Sequence, residues 1–223
     1  MNIRICTPVI GETREELLSN LEQIQKISSL VEIRADYIAN LSIEDIEEIK
    51  LHTRVDSIFT CRKKEEGGFF KGSEEERIAI LKKAIDAQFD FVDIELSAMK
   101  EHQISKKGIT KLIISYHNFE KTPSYWDMQN IIAEMNSFGP DILKIATMMN
   151  EEYESTKIYR LLTNKPHNEE RIVLGMGEKG RMTRILGPLL GSYLTFASTE
   201  FGGSAPGQIE LSELQTIYKS LQK

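Results

Sequence analysis

The sequence is short of several things. It has two cysteines, Cys6 and Cys61, with no C-x-x-C or metal-ligand spacing, so buried free thiols are expected rather than a disulfide framework or a zinc site. No apolar run is long enough to span a bilayer, and the opening stretch MNIRICTPVI becomes strand-like at once, without the charged and then long apolar regions of a secretory leader. A cytoplasmic protein without membrane partners is therefore expected. There is no surplus of positive charge: the net charge is −6, the wrong sign for coating nucleic acid. Any anionic ligand must meet local positive charge. No Pro-, Gly- or Ser-rich linker interrupts the 223 residues, which suffice for a sizeable core, so one domain over 1–223 is expected. The remaining composition, 40% hydrophobic and 28% charged, is that of an ordinary globular chain.

Short apolar runs recur along the chain: IRICTPV, LVEIRAD, DSIFTCR, DFVDIEL, KLIISYH, DILKIAT, RIVLGMG and YLTFAST. Between them lie amphipathic stretches, several opened by a Ser, Thr or Asn cap followed by acidic residues. Ser73 and Glu76 of SEEE form a capping box. Strands alternating with helices imply parallel pairing through right-handed crossovers, and eight such units at this length match a compact (β/α)8 TIM barrel. An open doubly wound sheet is the alternative.

Polar residues within the strands discriminate between the two. Side chains alternate faces along a strand, so Glu32 shares a face with Arg34, Thr60 with Arg62, Asp93 with Glu95, Ser115 with His117, and Ile142 with Lys144. In an open sheet these groups would lie scattered beneath helices. In a closed barrel they converge on the mouth at the C-terminal ends of the strands, where barrel enzymes hold their chemistry.

Lys144 lies in the middle of a strand that otherwise reads as buried. An ammonium there is paired, snorkels to an edge, or is kept near neutrality for a purpose by desolvation and neighbouring arginines. A neutral amine adds to a ketone, the resulting iminium acidifies the adjacent C–H, and a base must then stand within reach. His117, on the inward parity of the preceding strand and expected to titrate near neutrality, is the candidate base. No metal or organic cofactor is then needed to stabilise the carbanion. The glycine-flanked SAPGQ, residues 204–208, is either a surface loop or a lid whose Ser204 and Gln208 donate to ligand oxygens. GMGEKG matches G-x-G-x-x-G at Gly175, Gly177 and Gly180, but too little chain follows to complete a dinucleotide-binding fold.

Six ordered stretches, VEIRADY, CRKKEEGG, ISYHNF, LKIATM, GEKGRMTR and SAPGQI, together resemble the motifs of the type I 3-dehydroquinate dehydratases of the shikimate pathway, and the resemblance covers essentially the whole chain. It implies that Lys144 forms an imine with the C3 ketone of 3-dehydroquinate and that His117 removes the C2 proton and protonates the leaving hydroxyl in a syn elimination. It implies further that Glu66 acts beside the histidine and that Arg184, at the start of a helix, holds the substrate carboxylate. Glu32, Arg34, Arg62, Ser204 and Gln208 would bind ring hydroxyls and carboxylate, Met176 and Phe196 would form apolar walls, and Thr7 would supply a small hydroxyl. The family precedent also suggests a homodimer. Two other readings remain at this stage. One is a class I Schiff-base aldolase with a phosphate cradle around GMGEKG, and the other is a non-enzymatic metabolite-binding barrel.

Overall fold

In a computed structural model that describes residues 3–221, every apolar run becomes a strand. The two residues at each end of the expected 1–223 span lie outside the described residues. In chain order the elements are β1 (Ile5–Val9), α1 (Arg14–Ile24), β2 (Leu30–Arg34), α2 (Ile43–His52), β3 (Asp56–Thr60), α3 (Glu74–Asp86), β4 (Phe91–Glu95) and α4 (Leu96–Glu101). They continue with β5 (Lys111–Asn118), α5 (Tyr125–Asn136), β6 (Ile142–Met148), α6 (Ser155–Thr163), β7 (Arg171–Met176), α7 (Arg181–Leu186), β8 (Thr195–Ser198), β9 (Ile209–Glu210) and α8 (Leu211–Leu221).

All strand pairs are parallel, in the order β7-β6-β5-β4-β3-β2-β1-β8-β9. A parallel bridge from Arg171 to Ser192, just ahead of β8, joins the two ends and curls the sheet into a barrel. The backbone N–H of Tyr193 donates to the Arg171 carbonyl at 2.7 Å across this seam. The short β9 adds outside β8, and its pairing of Ala197 with Ile209 brings the chain back from the 199–208 loop. No sequence pattern had marked it.

The helices begin where their caps require. Ser42 and Ser73 each accept from the third helical N–H, while Asp45 and Glu76 reach back to the cap backbone. Such caps contribute about 1 kcal/mol each. The segment after α4 is shorter in helix than its length suggests, because it turns to coil before residue 110.

Strand parity divides the core into two. Outward residues such as Val31, Ile33, Phe59, Val92 and Ile114 pack beneath the helices. Inward residues such as Cys6, Leu30, Ile58, Phe91 and Ile172 fill the barrel. Above that apolar plug, toward the C-terminal strand ends, the inward positions turn polar: Glu32, Thr60, Asp93, Ser115 and Lys144 are all buried. The expected parity holds at every one of them. Cys6 and Cys61 are both buried and free.

Candidate active site

The polar layer floors a cavity at the barrel mouth. Its wall includes Glu32, Arg34, Arg62, Glu66, His117, Lys144, Met176, Arg184, Phe196, Ser204 and Gln208, eleven residues drawn from strands and loops far apart in sequence. The twelfth expected residue, Thr7, does not belong. Its partner in the β1–β2 register is outward-facing Val31, and its hydroxyl donates to Ser28 Oγ at 3.0 Å beneath the helices. Cys6 takes the inward position instead, and burial pushes its thiol well above the ordinary range.

Lys144 stands at the centre. Its Nζ is 2.7 Å from Asp93 Oδ2, 3.7 Å from Glu32 Oε1 and 4.8 Å from the centroid of the Phe196 ring. The expected arginine neighbours are not the nearest charged groups: the lysine is ion-paired with carboxylates. The arginines are held one step away. Arg62 Nη2 lies 2.8 Å from Asp93 Oδ1 and its Nη1 lies 2.9 Å from Glu95 Oε1. Ser115 accepts from Arg62 at 2.9 Å and donates to Asp93 at 2.6 Å. Burial alone would raise the Asp93 carboxyl, but Arg62 and Lys144 hold it far below the usual carboxylate range.

His117 lies on β5 one pleat beyond Ser115, the residue that pairs with Lys144. Its Nδ1 is 3.1 Å from Glu66 Oε2, and the other oxygen of Glu66 accepts from Ser97 Oγ at 3.1 Å. Burial, reinforced by the positive charges of Arg62 and Lys144, pushes the imidazole well below its ordinary value, so titration near neutrality is corrected downward. Burial likewise raises the Glu66 carboxyl.

The other two arginines of the wall, Arg34 and Arg184, are in different states. Arg34 is gripped by Asp36 through Nε at 2.9 Å and Nη2 at 2.7 Å. Burial opposes its charge, but that carboxylate keeps the guanidinium raised. Arg184 has no carboxylate partner among the described residues. Its Nη2 donates to the Pro206 carbonyl at 3.1 Å, its Nε is buried without a partner, and burial pushes it down to about 10. A buried cation held only by a carbonyl is a ready site for an anion. Arg184 sits in the last turn of α7, not at a helix start. Its backbone is fixed by Thr195 Oγ1 and by the Tyr218 hydroxyl, both bonded to its carbonyl.

The 204–208 segment covers the mouth. Ser204 Oγ reaches Glu32 Oε2 at 3.5 Å, Gln208 Nε2 donates to Ser204 Oγ at 3.3 Å, and Arg34 Nη1 donates to the Ser204 carbonyl at 3.3 Å. The Pro206 carbonyl also accepts from the Gly177 N–H at 3.3 Å. The G-x-G-x-x-G pattern has a packing role: a Cβ on Gly180 would lie 2.4 Å from the Gly175 backbone, and Thr183 Oγ1 accepts from Gly175 N at 2.8 Å. No group of three or more His, Cys, Asp or Glu in the described residues is placed to hold a metal ion.

The sequence reading missed Phe119, Ala146, Leu174 and Ala205 in the wall, and it had not singled out Asp36, Asp93 or Glu95 as anchors. Phe119 stands two residues beyond His117 and shares its parity, the one signal that could have found it.

The profile of the type I 3-dehydroquinase family matches residues 5–223. A 3-dehydroquinate dehydratase of Coxiella burnetii is 43% identical over 221 residues, covering 99% of this chain and 94% of that protein. One from Methanocaldococcus jannaschii is 41% identical over 220 residues, covering 96% and 97%. The crystal structure of 3-dehydroquinate dehydratase from Geobacillus kaustophilus superposes with a TM-score of 0.87 at 26% identity, over 100% of this chain and 92% of that one.

Proposed function

The chain belongs to the type I 3-dehydroquinase family, and on that premise we propose how its residues divide the dehydration of 3-dehydroquinate to 3-dehydroshikimate, a step of the shikimate pathway. Lys144 condenses with the ring ketone and loses water, giving an iminium that draws electrons from the neighbouring C–H. His117, kept neutral by burial, takes that proton through the nitrogen not engaged by Glu66, and returns a proton to the departing hydroxyl. Glu66 fixes the ring's orientation. Arg184 binds the substrate carboxylate, Glu32, Arg34 and Arg62 with Ser204 and Gln208 bind the ring oxygens, and Met176 and Phe196 wall the ring. The single observation that carries the reading is the buried Lys144 at the cavity floor with His117 inward-facing on the adjacent strand.

The same reading takes 1–223 as one catalytic domain, working in the cytoplasm as a homodimer. No described helix is long and apolar enough to cross a membrane. Light scattering at working concentration tests the dimer. The activity itself is tested by adding 3-dehydroquinate and following the near-ultraviolet absorbance of the conjugated enone product; no absorbance change with a folded protein refutes it.

A further inference from the structure

We infer that Asp93 is a catalytic residue, the counter-ion that keeps the Lys144 iminium protonated through the elimination. This rests on the Schiff-base reading above. The condensation conserves charge: the ammonium of Lys144 and a ketone give an iminium and water, with the C–N double bond formed as the C–O bond is lost. The positive charge therefore stays on the same nitrogen, but only one N–H remains to hold it in place. A neutral imine is a weak electron sink, so the elimination needs that last proton to stay.

The groups facing the nitrogen are Asp93 from β4, Glu32 from β2, His117 from β5, Cys6 from β1, Arg62 just past β3, and the Phe196 ring from β8. Of the two carboxylates, Glu32 is the more distant at 3.7 Å, and its oxygens are already engaged by Thr60 Oγ1 at 3.0 Å and Ser204 Oγ at 3.5 Å. Asp93 divides its work differently. Oδ1 is tied to Arg62 and Ser115, while Oδ2 has Lys144 Nζ as its one partner among the described residues, at 2.7 Å. The side chain is wholly shielded from solvent, so the attraction acts in low dielectric. Because Arg62 already stabilises the carboxylate, Asp93 is too weak a base to take the iminium proton, and it acts as a fixed anion. The Phe196 face, 4.8 Å away, adds a cation–π contact on the same charge.

The pH dependence of kcat tests this, since kcat reports groups in the enzyme–substrate complex. Removing an opposite charge at this distance lowers the pKa of a cation by about one to three units, so Asp93→Asn should move the alkaline limb of kcat down by that amount, and Asp93→Glu should return it toward wild type at a reduced rate. An alkaline limb of Asp93→Asn superposed on the wild-type limb overturns the inference. If the Asn variant does not fold, the wild-type protein decides. With ε-15N-lysine and 3-dehydroshikimate bound, the Lys144 nitrogen should stay protonated over a range that starts at neutral pH and extends above it. A nitrogen that is deprotonated at the lower end of that range overturns the counter-ion role. Borohydride reduction of wild type with 3-dehydroquinate separates the two readings. Absence of label on Lys144 sinks the Schiff base itself, whereas label with an unmoved limb sinks only the role of Asp93.

Discussion

His117 Nδ1 stands 3.1 Å from Glu66 Oε2, so the carboxylate takes one ring nitrogen and leaves the other for the cavity that the ring lines. On the proposed reading, a histidine so held moves protons without forming the covalent bond. His117→Ala should therefore lower turnover by about 10²- to 10⁴-fold, the usual worth of general acid–base catalysis, while borohydride still fixes ligand mass to Lys144. Near-normal turnover in that variant contradicts the role.

The acid limb of kcat/KM follows from the same pair. Burial, with Arg62 and Lys144 nearby, holds the folded-state value of His117 well below the ordinary value, which is about 6.5. The neutral base thus persists as pH falls through that point, and the limb should lie lower, as a joint titration with Glu66. The sign for stability follows. Below about 6.5 the unfolded chain binds a proton that the folded one refuses, so this group makes folding less favourable as pH drops from there toward the folded value. A kcat/KM limb at or above the free-histidine value contradicts the burial argument.

Much of this was legible in the sequence because strand parity carries it. Once LVEIR, DFVDIE and DILKIAT are strands, Glu32, Asp93 and Lys144 must share the inner face. Thr7 was assigned from the family resemblance alone, and parity offered no check on it because Cys6, Thr7 and Pro8 carry no charge that marks which side is inside. It was also silent about pairing. Asp93 and Glu95 read the same whether they face a ligand or a cation, and only the fold shows them clasping Arg62. Arg77 looks like a solvated helix arginine, yet it is buried, donating to Glu95 at 2.8 Å and to the Cys61 carbonyl at 2.7 Å. Such contacts join residues whose separation no local pattern encodes.

Lys144→Ala should abolish borohydride-dependent labelling and reduce turnover to background. Label recovered on another lysine in the wild-type protein would sink the assignment. The substitution also leaves Asp93 without its 2.7 Å partner, but Arg62 still compensates that charge, so the variant should fold. Circular dichroism checks that point.

Arg184 is the cavity arginine with no carboxylate of its own, so substrate binding should depend on it more than folding does. Arg184→Met removes a hydrogen-bonded charge worth about 1.5–3 kcal/mol, a rise in KM of roughly 10- to 150-fold. The thermal midpoint should not fall, since the unpaired cation is costly to bury in the free protein. Arg184→Lys should recover only part of the affinity, because an ammonium lacks the planar fork that matches a carboxylate. An unchanged KM in the Met variant contradicts the placement.

The 204–208 segment lies over the mouth in a backbone conformation that only glycine adopts cheaply. Gly207 has φ +76°, and a Cβ there would lie 2.2 Å from the Gly177 carbonyl oxygen, a backbone atom that cannot move aside. Gly203 has an ordinary φ, and its Cβ would meet the amide end of Gln208 at 2.6 Å, a group able to rotate. Gly207→Ala therefore strains the shut state in particular. The left-handed conformation costs an L-residue about 1–2 kcal/mol, which lowers the closed population roughly 5- to 30-fold before the clash is counted. In the conformation seen, Ser204 and Gln208 reach the cavity and Pro206 meets both Gly177 and Arg184. The variant should accordingly show a raised KM, slowed turnover and faster proteolysis between residues 202 and 208 in the presence of ligand, with imine still trapped on Lys144. Gly203→Ala should change these much less. Equal effects of the two substitutions, or cleavage of the wild-type segment that saturating ligand does not slow, would return 204–208 to the status of an ordinary surface loop.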